Sequence, residues 1–223
     1  MTGIDTCHVS ETSGNIITCK GKLFFAKYLY EGNANDKGKV KYNLEICFKP
    51  DADLIGLKNA MGKIALENCD GDADQARNFV NKRFIDPNNK PGNGKPAGKE
   101  FKDWVLIRAS SDDIPDFVLP SGKRIIDHSS IKGECYSGRW ARVTLNPYWL
   151  DMKTKEGMII KGLFLGLQNV QLLDHDTPIG FVKPEGAEEF GAVEGITGDA
   201  PAITEDTTTA PATGGGQVDA LFG

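Results

Sequence analysis

In the stretch SGRWARVTLNPYWLD, Ser137 to Asp151, large aromatic and basic side chains alternate with small apolar ones: Trp140, Arg142, Asn146 and Tyr148 are interleaved with Ala141, Val143 and Leu145. Successive side chains of a strand point to opposite faces, so Ala141, Val143 and Leu145 are expected to enter a core and the other set to face outward. Flat rings beside cations can stack on unpaired bases and hold phosphates, a chemistry that contributes about 1–3 kcal/mol per stacked base and ignores sequence. Arg108, Lys39 and Lys41, on other predicted strands, would extend that surface into a groove. The same periodicity suits a second small core or a seam between subunits equally well, because buried aromatics dominate both. A homodimer is therefore left open.

Catalytic patterns are mostly missing. His8, His128 and His175 lie in no nucleophile-elbow, zinc-protease or deaminase motif. GNGKPAGKE lacks the spacing of a phosphate-binding loop and has Glu100 where a Ser or Thr would bind magnesium. DGDADQARNFVN starts like a calcium loop, but Gln75 stands in place of the turn glycine and Asn81 in place of the bidentate Glu. Asp70, Asp72 and Asp74 form the one tight carboxylate cluster a metal-dependent nuclease could use. Cys7, Cys19, Cys47, Cys69 and Cys135 are odd in number and widely spaced, with no C-x-x-C pair, and His8 does not complete a zinc site with them. Neither a metal nor another cofactor is expected, and the chain reads as a binder, not an enzyme. With no signal-peptide h-region at its start, reduced thiols in a cytoplasm are the expected state. No apolar run approaches the ~20 residues that span a bilayer, so no membrane partner is expected.

The formal net charge of -5 argues by itself against a nucleic-acid partner, but its distribution reverses the inference. Eight acidic residues and no Lys or Arg lie between Glu185 and the end, so residues 1–184 hold 26 basic against 23 acidic side chains, a net of +3. An acidic tail on a mildly basic body is a charge asymmetry that goes with nucleic-acid work.

The elements that must position these groups are mainly strands. KGKLFFAKYLY and VKYNLEICFKP read as a long hairpin across a Gly- and Asn-rich loop. In the first, Leu23, Phe25 and Leu29 are expected inside and Phe24, Tyr28 and Tyr30 outside, unless a bulge swaps them. In the second, Val40, Tyr42, Leu44, Ile46 and Phe48 should face the core, leaving a wet face of Lys39, Lys41, Asn43, Glu45 and Cys47. Leu54, Leu57, Met61, Ile64 and Ala65 recur at helical spacing behind Asp53, which predicts one amphipathic helix. Residues 70–100 turn polar and irregular, a long inserted loop. DWVLIRASS, the stretch around Trp140 and GMIIKGLFLGLQNVQLLD supply further strands, with Trp104 and Trp149 expected in core or edge packing. Five or so strands and one helix predict a small closed or nearly closed β-barrel. Residues 184–223 have 11 Gly or Pro in 40 positions and few large apolar groups, so a disordered acidic tail is expected, ending in the apolar tip Asp219, Leu221 and Phe222.

In order, GKLFF, KYNLEICFKP, IRASS, ECYSGRWARVTLNPYW, the K-G-x-x-x-G-L-x-N-x-Q-x-L run from Lys161 to Leu173 and DTPIGF cover most of residues 20–181. This pattern resembles the family of bacteriophage single-stranded DNA-binding proteins with an oligonucleotide-binding (OB) fold, formerly a domain of unknown function. The resemblance implies an OB-fold five-stranded barrel over residues 1–183, sequence-tolerant coating of single-stranded DNA in phage replication or recombination, and a host-cell cytoplasmic location. It also implies that the tail recruits a phage DNA polymerase, helicase or primase and competes with DNA for the groove. The candidate DNA contacts are then Trp140, Arg142, Tyr148, Arg139, Arg108, Lys39, Lys41, Lys22, Phe24, Tyr28 and Lys161, with Asp219, Leu221 and Phe222 for the partner. Two departures stand out: Phe222 is penultimate, not terminal, and the 70–100 segment is long. The competing reading is a phage structural or scaffolding protein whose outward aromatics form an oligomer interface.

Overall fold

The computed structural model describes residues 3–34, 38–91, 96–154 and 157–179. Among them, strands and helices follow in chain order as β1 (His8–Val9), β2 (Ile16–Ile17), β3 (Gly21–Phe24), β4 (Asn33–Ala34), β5 (Val40–Phe48), α1 (Ile55–Asn68) and α2 (Ala73–Asn81). There follow β6 (Val105–Ser111), β7 (Asp116–Val118), β8 (Arg124–Ile125), α3 (His128–Glu134), β9 (Trp140–Lys153) and β10 (Ile159–Leu172). The structure is thus mainly β with three α-helices. None of the described helices is long and apolar enough to cross a membrane.

Alternation decides the sheet. Ala141, Val143 and Leu145 of β9 are buried as the sequence predicts, and so are Leu163, Leu165 and Leu167 of β10. The two strands pair antiparallel along their whole length, with a register shift between Leu167 and Asn169. β9 also pairs with β3, β3 with β5, β5 with β6, and β6 runs parallel to β10 where Ser110 meets Gly166. These five strands close on themselves as a ring, with β6 meeting β10 at a single pair. Gly21, where β3 meets β5, allows the close approach: a Cβ there would lie 2.7 Å from the Cys47 carbonyl oxygen.

Inside the ring, Leu23, Leu44, Ile46, Phe48, Ile107 and the buried sets of β9 and β10 form one core. Helix α1 closes it with Leu57, Met61 and Ala65. Each such Leu, Ile or Phe contributes roughly 1.5–3 kcal/mol by leaving water. Asp53 marks the start of α1, its Oδ1 accepting from the Ile55 N–H at 3.0 Å. All five cysteines are buried as free thiols, with the Cys7 and Cys19 sulfurs 3.6 Å apart.

Three features depart from the sequence reading. First, the segment expected to be an irregular loop carries helix α2. Asp72, of the carboxylate cluster, is its N-cap and accepts from the N–H groups of Asp74 and Gln75 at 3.0 and 2.9 Å. Asp74 pairs with Arg77. Only Ala76 and Val80 of this helix are buried, too narrow a stripe to stand out among polar neighbours. The short α3 is a further helix beyond the one that periodicity predicts; Asp127 caps it by accepting from the Ser130 N–H at 2.8 Å.

Second, residues 84–91 and 96–104 lie on the outer side of β3, β5 and β6. Ile85 exchanges two backbone hydrogen bonds with Leu106, at 2.9 and 2.8 Å. Beneath this cover a second core forms from Phe24, Cys47, Phe101 and Leu106, with Ile85, Ala97 and Trp104 packed against it. The face of β5 read as wet is therefore covered at Cys47.

Third, β3 stops at Phe24 and Phe25 adopts φ 49°, ψ 40°, the left-handed region, before a 3-10 turn over Ala26–Leu29. This reverses the expected facing of Phe24, Phe25 and Tyr30, while Leu23 and Leu29 are buried as expected. Phe24 and Tyr30 are buried and Phe25 is 48% exposed. A left-handed non-glycine residue costs roughly 1–2 kcal/mol, and the packing of Phe24 in the second core offsets it.

Candidate nucleic-acid interface

Trp140 opens β9 on the outer side of the ring, opposite Lys22 of β3. Its indole Nε1 donates to Asp176 Oδ2 at 2.8 Å, and the same carboxylate oxygen lies 2.9 Å from the Lys22 ammonium. Lys22, the Thr177 backbone N–H and Trp140 together hold the Asp176 carboxyl down at about 2. The ammonium groups of Lys22 and Lys49 sit 5.2 and 5.3 Å from the Trp140 ring centroid, and Trp104 lies 6.1 Å away at an interplanar angle of 31°. With its edge fixed by Asp176, which also holds Lys22, the ring can take a base as the Lys49 ammonium swings from over it to a flanking phosphate.

A second site lies on the outer side of β5 and β6. There a cleft of ≈ 390 Å³ is lined by Phe25, Tyr28, Asn43, Glu45, Lys90 and Arg108, among others. Glu45 accepts from Lys90 Nζ at 3.0 Å and from Arg108 Nε at 2.8 Å, so two cations and one carboxylate lie in the cleft beside the Phe25 and Tyr28 rings. Lys90 also lies 4.8 Å from the Phe25 ring centroid. Phosphate is disfavoured beside Glu45, whereas the exposed faces of Phe25 and Tyr28 offer room for a base.

Tyr148 lies eight residues beyond Trp140 on the same strand face, about 26 Å along at 3.3 Å per residue. It stacks on Phe164 of β10, centroids 6.0 Å apart. Arg142, between Trp140 and Tyr148, donates to Gln171 Oε1 at 2.6 Å. The outward aromatics predicted on β9 thus share a face but belong to separate patches.

Other predicted contacts are placed differently. Arg139 is 2% exposed; it donates to the Leu173 carbonyl from Nε and Nη2 at 3.2 and 3.0 Å and pairs with Glu134. Its donors are spent inside the fold, which removes it from the DNA-contact set. Phe24 leaves the set as well, being sealed in the second core. Lys39 and Lys41 stand at the far end of β5 and both pair with Asp112, whose carboxyl Lys39 in particular holds below its usual range. Lys161 pairs with Asp151 on the β9–β10 hairpin. Asp219, Leu221 and Phe222 lie outside the described residues.

Five side chains at these patches are not picked out by the sequence: Lys49, Phe25, Lys90, Phe164 and Arg83, whose guanidinium lies over the Phe164 ring. Trp104 packs on Phe101, as its sequence position predicts, and also borders Trp140. Lys49, directly after β5 in CFKP, carried a usable signal as a cation at a strand end. The others depend on chain crossings that no local pattern reports.

A ring-closed, mainly β protein with rings and cations on its outer side is the architecture of an oligonucleotide-binding module. The chain belongs to the Enterobacter phage Enc34 ssDNA-binding protein family, matching it over residues 14–201. The single-stranded DNA-binding protein from bacteriophage Enc34, solved in complex with ssDNA, shares the fold with TM-score 0.61 at 17% identity, over 81% of this chain and 97% of that one. The same phage protein in another structure gives TM-score 0.58 at 16% identity, covering 85% and 97%. No curated protein gives a significant match.

Proposed function

We propose that the chain coats single-stranded DNA during phage replication or recombination, in the host-cell cytoplasm, without catalysing a reaction. Bases stack on Trp140, on the Phe25 and Tyr28 cleft and near Tyr148, while cations outside the Glu45 pair, Lys49 among them, take phosphates. The observation that carries the reading is the Trp140 patch: a ring held at its edge by Asp176, with Lys22 and Lys49 at 5.2 and 5.3 Å. Family membership supports it, as does the Enc34 protein's complex with ssDNA. Stacking on rings and attraction to phosphates predicts little sequence preference and strong dependence on salt.

In the same reading the acidic residues 184–223 recruit a replication partner, a polymerase, helicase or primase, through Asp219, Leu221 and Phe222. Their eight negative charges also compete with DNA for the cationic patches.

The test is a titration of labelled single-stranded and double-stranded DNA of mixed sequence at two salt concentrations. Preference for the single strand, weakening steeply with salt, is expected. Equal binding of both forms, or none at low salt, overturns the reading.

A further inference from the structure

Arg83, just beyond the C-terminal end of α2, holds its guanidinium 5.3 Å from the Phe164 ring centroid. Phe164 in turn stacks on Tyr148 across the β9–β10 pair, with planes 26° apart. The result is a stack of cation, ring and ring whose last member is 38% exposed.

Several cations of the outer side are neutralised by carboxylates, whereas Arg83, like Lys49 and Arg142, has no such ion pair among the described residues. Lys22 pairs with Asp176, Lys90 and Arg108 with Glu45, and Lys161 with Asp151. Arg83 has no carboxylate partner among the described residues, and its Nε is buried without a hydrogen-bond acceptor. Burial also lowers its pKa, as expected for a cation short of an anion. The buried Nε cannot reach a ligand, but the terminal Nη groups of a guanidinium stacked on a ring can make a planar, charge-assisted contact with a phosphate.

We infer that Arg83, Phe164 and Tyr148 form a second station for single-stranded nucleic acid, separate from Trp140, in which Arg83 takes a phosphodiester oxygen and Tyr148 stacks the adjoining base. The inference rests on the proposed function and adds a phosphate-binding residue to it. The parallel pair of Ser110 with Gly166 lies two residues from Arg108 on β6 and two from Phe164 on β10. The separation from Trp140, about 26 Å along β9, means that one strand of several nucleotides is needed to fill both.

The test compares wild type, Arg83→Met, Arg83→Lys and Tyr148→Ala by fluorescence anisotropy with a long oligo-dT over a salt series, with thermal unfolding run in parallel. Arg83→Met keeps the stem packed on Phe164 but loses the charge. It is expected to bind about tenfold more weakly and to lower the magnitude of the log-log salt slope by about 0.7, one phosphate. Arg83→Lys is expected to keep the slope, and Tyr148→Ala to lose affinity with the slope unchanged. Wild-type affinity and slope in Arg83→Met overturn the station while leaving the Trp140 reading standing. If Arg83→Met does not fold, a slope that falls in Arg83→Lys overturns it instead. Failure of the wild type to bind overturns the proposed function itself.

Discussion

Trp140 and Asp176 are joined through the indole N–H, Nε1 donating to Oδ2 at 2.8 Å. Because the same carboxylate holds Lys22, one residue fixes both a ring and a cation of the candidate interface.

The pH dependence of that contact follows from its sign. The folded Asp176 carboxyl is held at about 2, below the ~3.9 of an unfolded aspartate. Its stabilising contribution is therefore complete above about pH 4 and is lost as pH falls through the folded value. The difference in urea midpoint between wild type and Asp176→Asn should stay constant from about pH 8 to about pH 5 and narrow below about pH 4. A difference that already narrows between pH 7 and 5 contradicts the assignment.

Glu45→Gln should move stability and binding in opposite directions. Lys90, with only 2% of its side chain exposed, loses its counter-charge, at a cost of about 2 kcal/mol. Arg108, 39% exposed, becomes available to phosphate, so oligo-dT binding should tighten and the salt slope steepen by about 0.7. Denaturant unfolding and anisotropy on the same preparation check both halves; affinity that falls along with stability would refute the second.

Arg139→Met should act on the fold alone. It strips the Leu173 carbonyl and Glu134 of their partner and is expected to cost about 3 kcal/mol. DNA affinity of the folded fraction should be unchanged. A clear loss of affinity at temperatures where the variant is folded would return Arg139 to the interface.

How far the sequence revealed these sites depended on which contacts were local. The alternation of Leu44, Ile46 and Phe48, the inner set of β9 and the helical stripe of α1 are all visible as periodicity, and each element forms within a few residues of its predicted limits. LFFAKYLY has apolar residues at both parities, so period alone could not tell that Phe25 turns left-handed and leaves Phe24 inside. Cys47 and Leu106 occupy outward positions, and their burial follows from a cover contributed by residues 84–91 and 96–104. Arg139 reads as a surface cation because nothing near it in sequence announces the Leu173 carbonyl. Trp140, Tyr148 and Arg108 were found by residue type and strand parity, whereas Arg83 over Phe164 joins a helix end to a strand far along the chain.

Deletion of residues 184–223 should tighten DNA binding, by removing eight negative charges that compete for the cationic patches, and should abolish pull-down of a replication partner. The gain in affinity should shrink as salt rises and screens the tail. Unchanged affinity at low salt together with unchanged pull-down would refute the role given to the tail.

The central claim is that Trp140, with Lys22 and Lys49 around it, holds an unpaired base. Its most direct measurement is the oligo-dT affinity of Trp140→Ala against wild type across a salt series, with sedimentation of both proteins alongside. The account predicts a loss of about 1–3 kcal/mol of binding free energy at every salt concentration, with assembly state and salt slope unchanged. Wild-type affinity in a variant that has lost its assembly state would contradict it and make the Trp140 face a subunit seam.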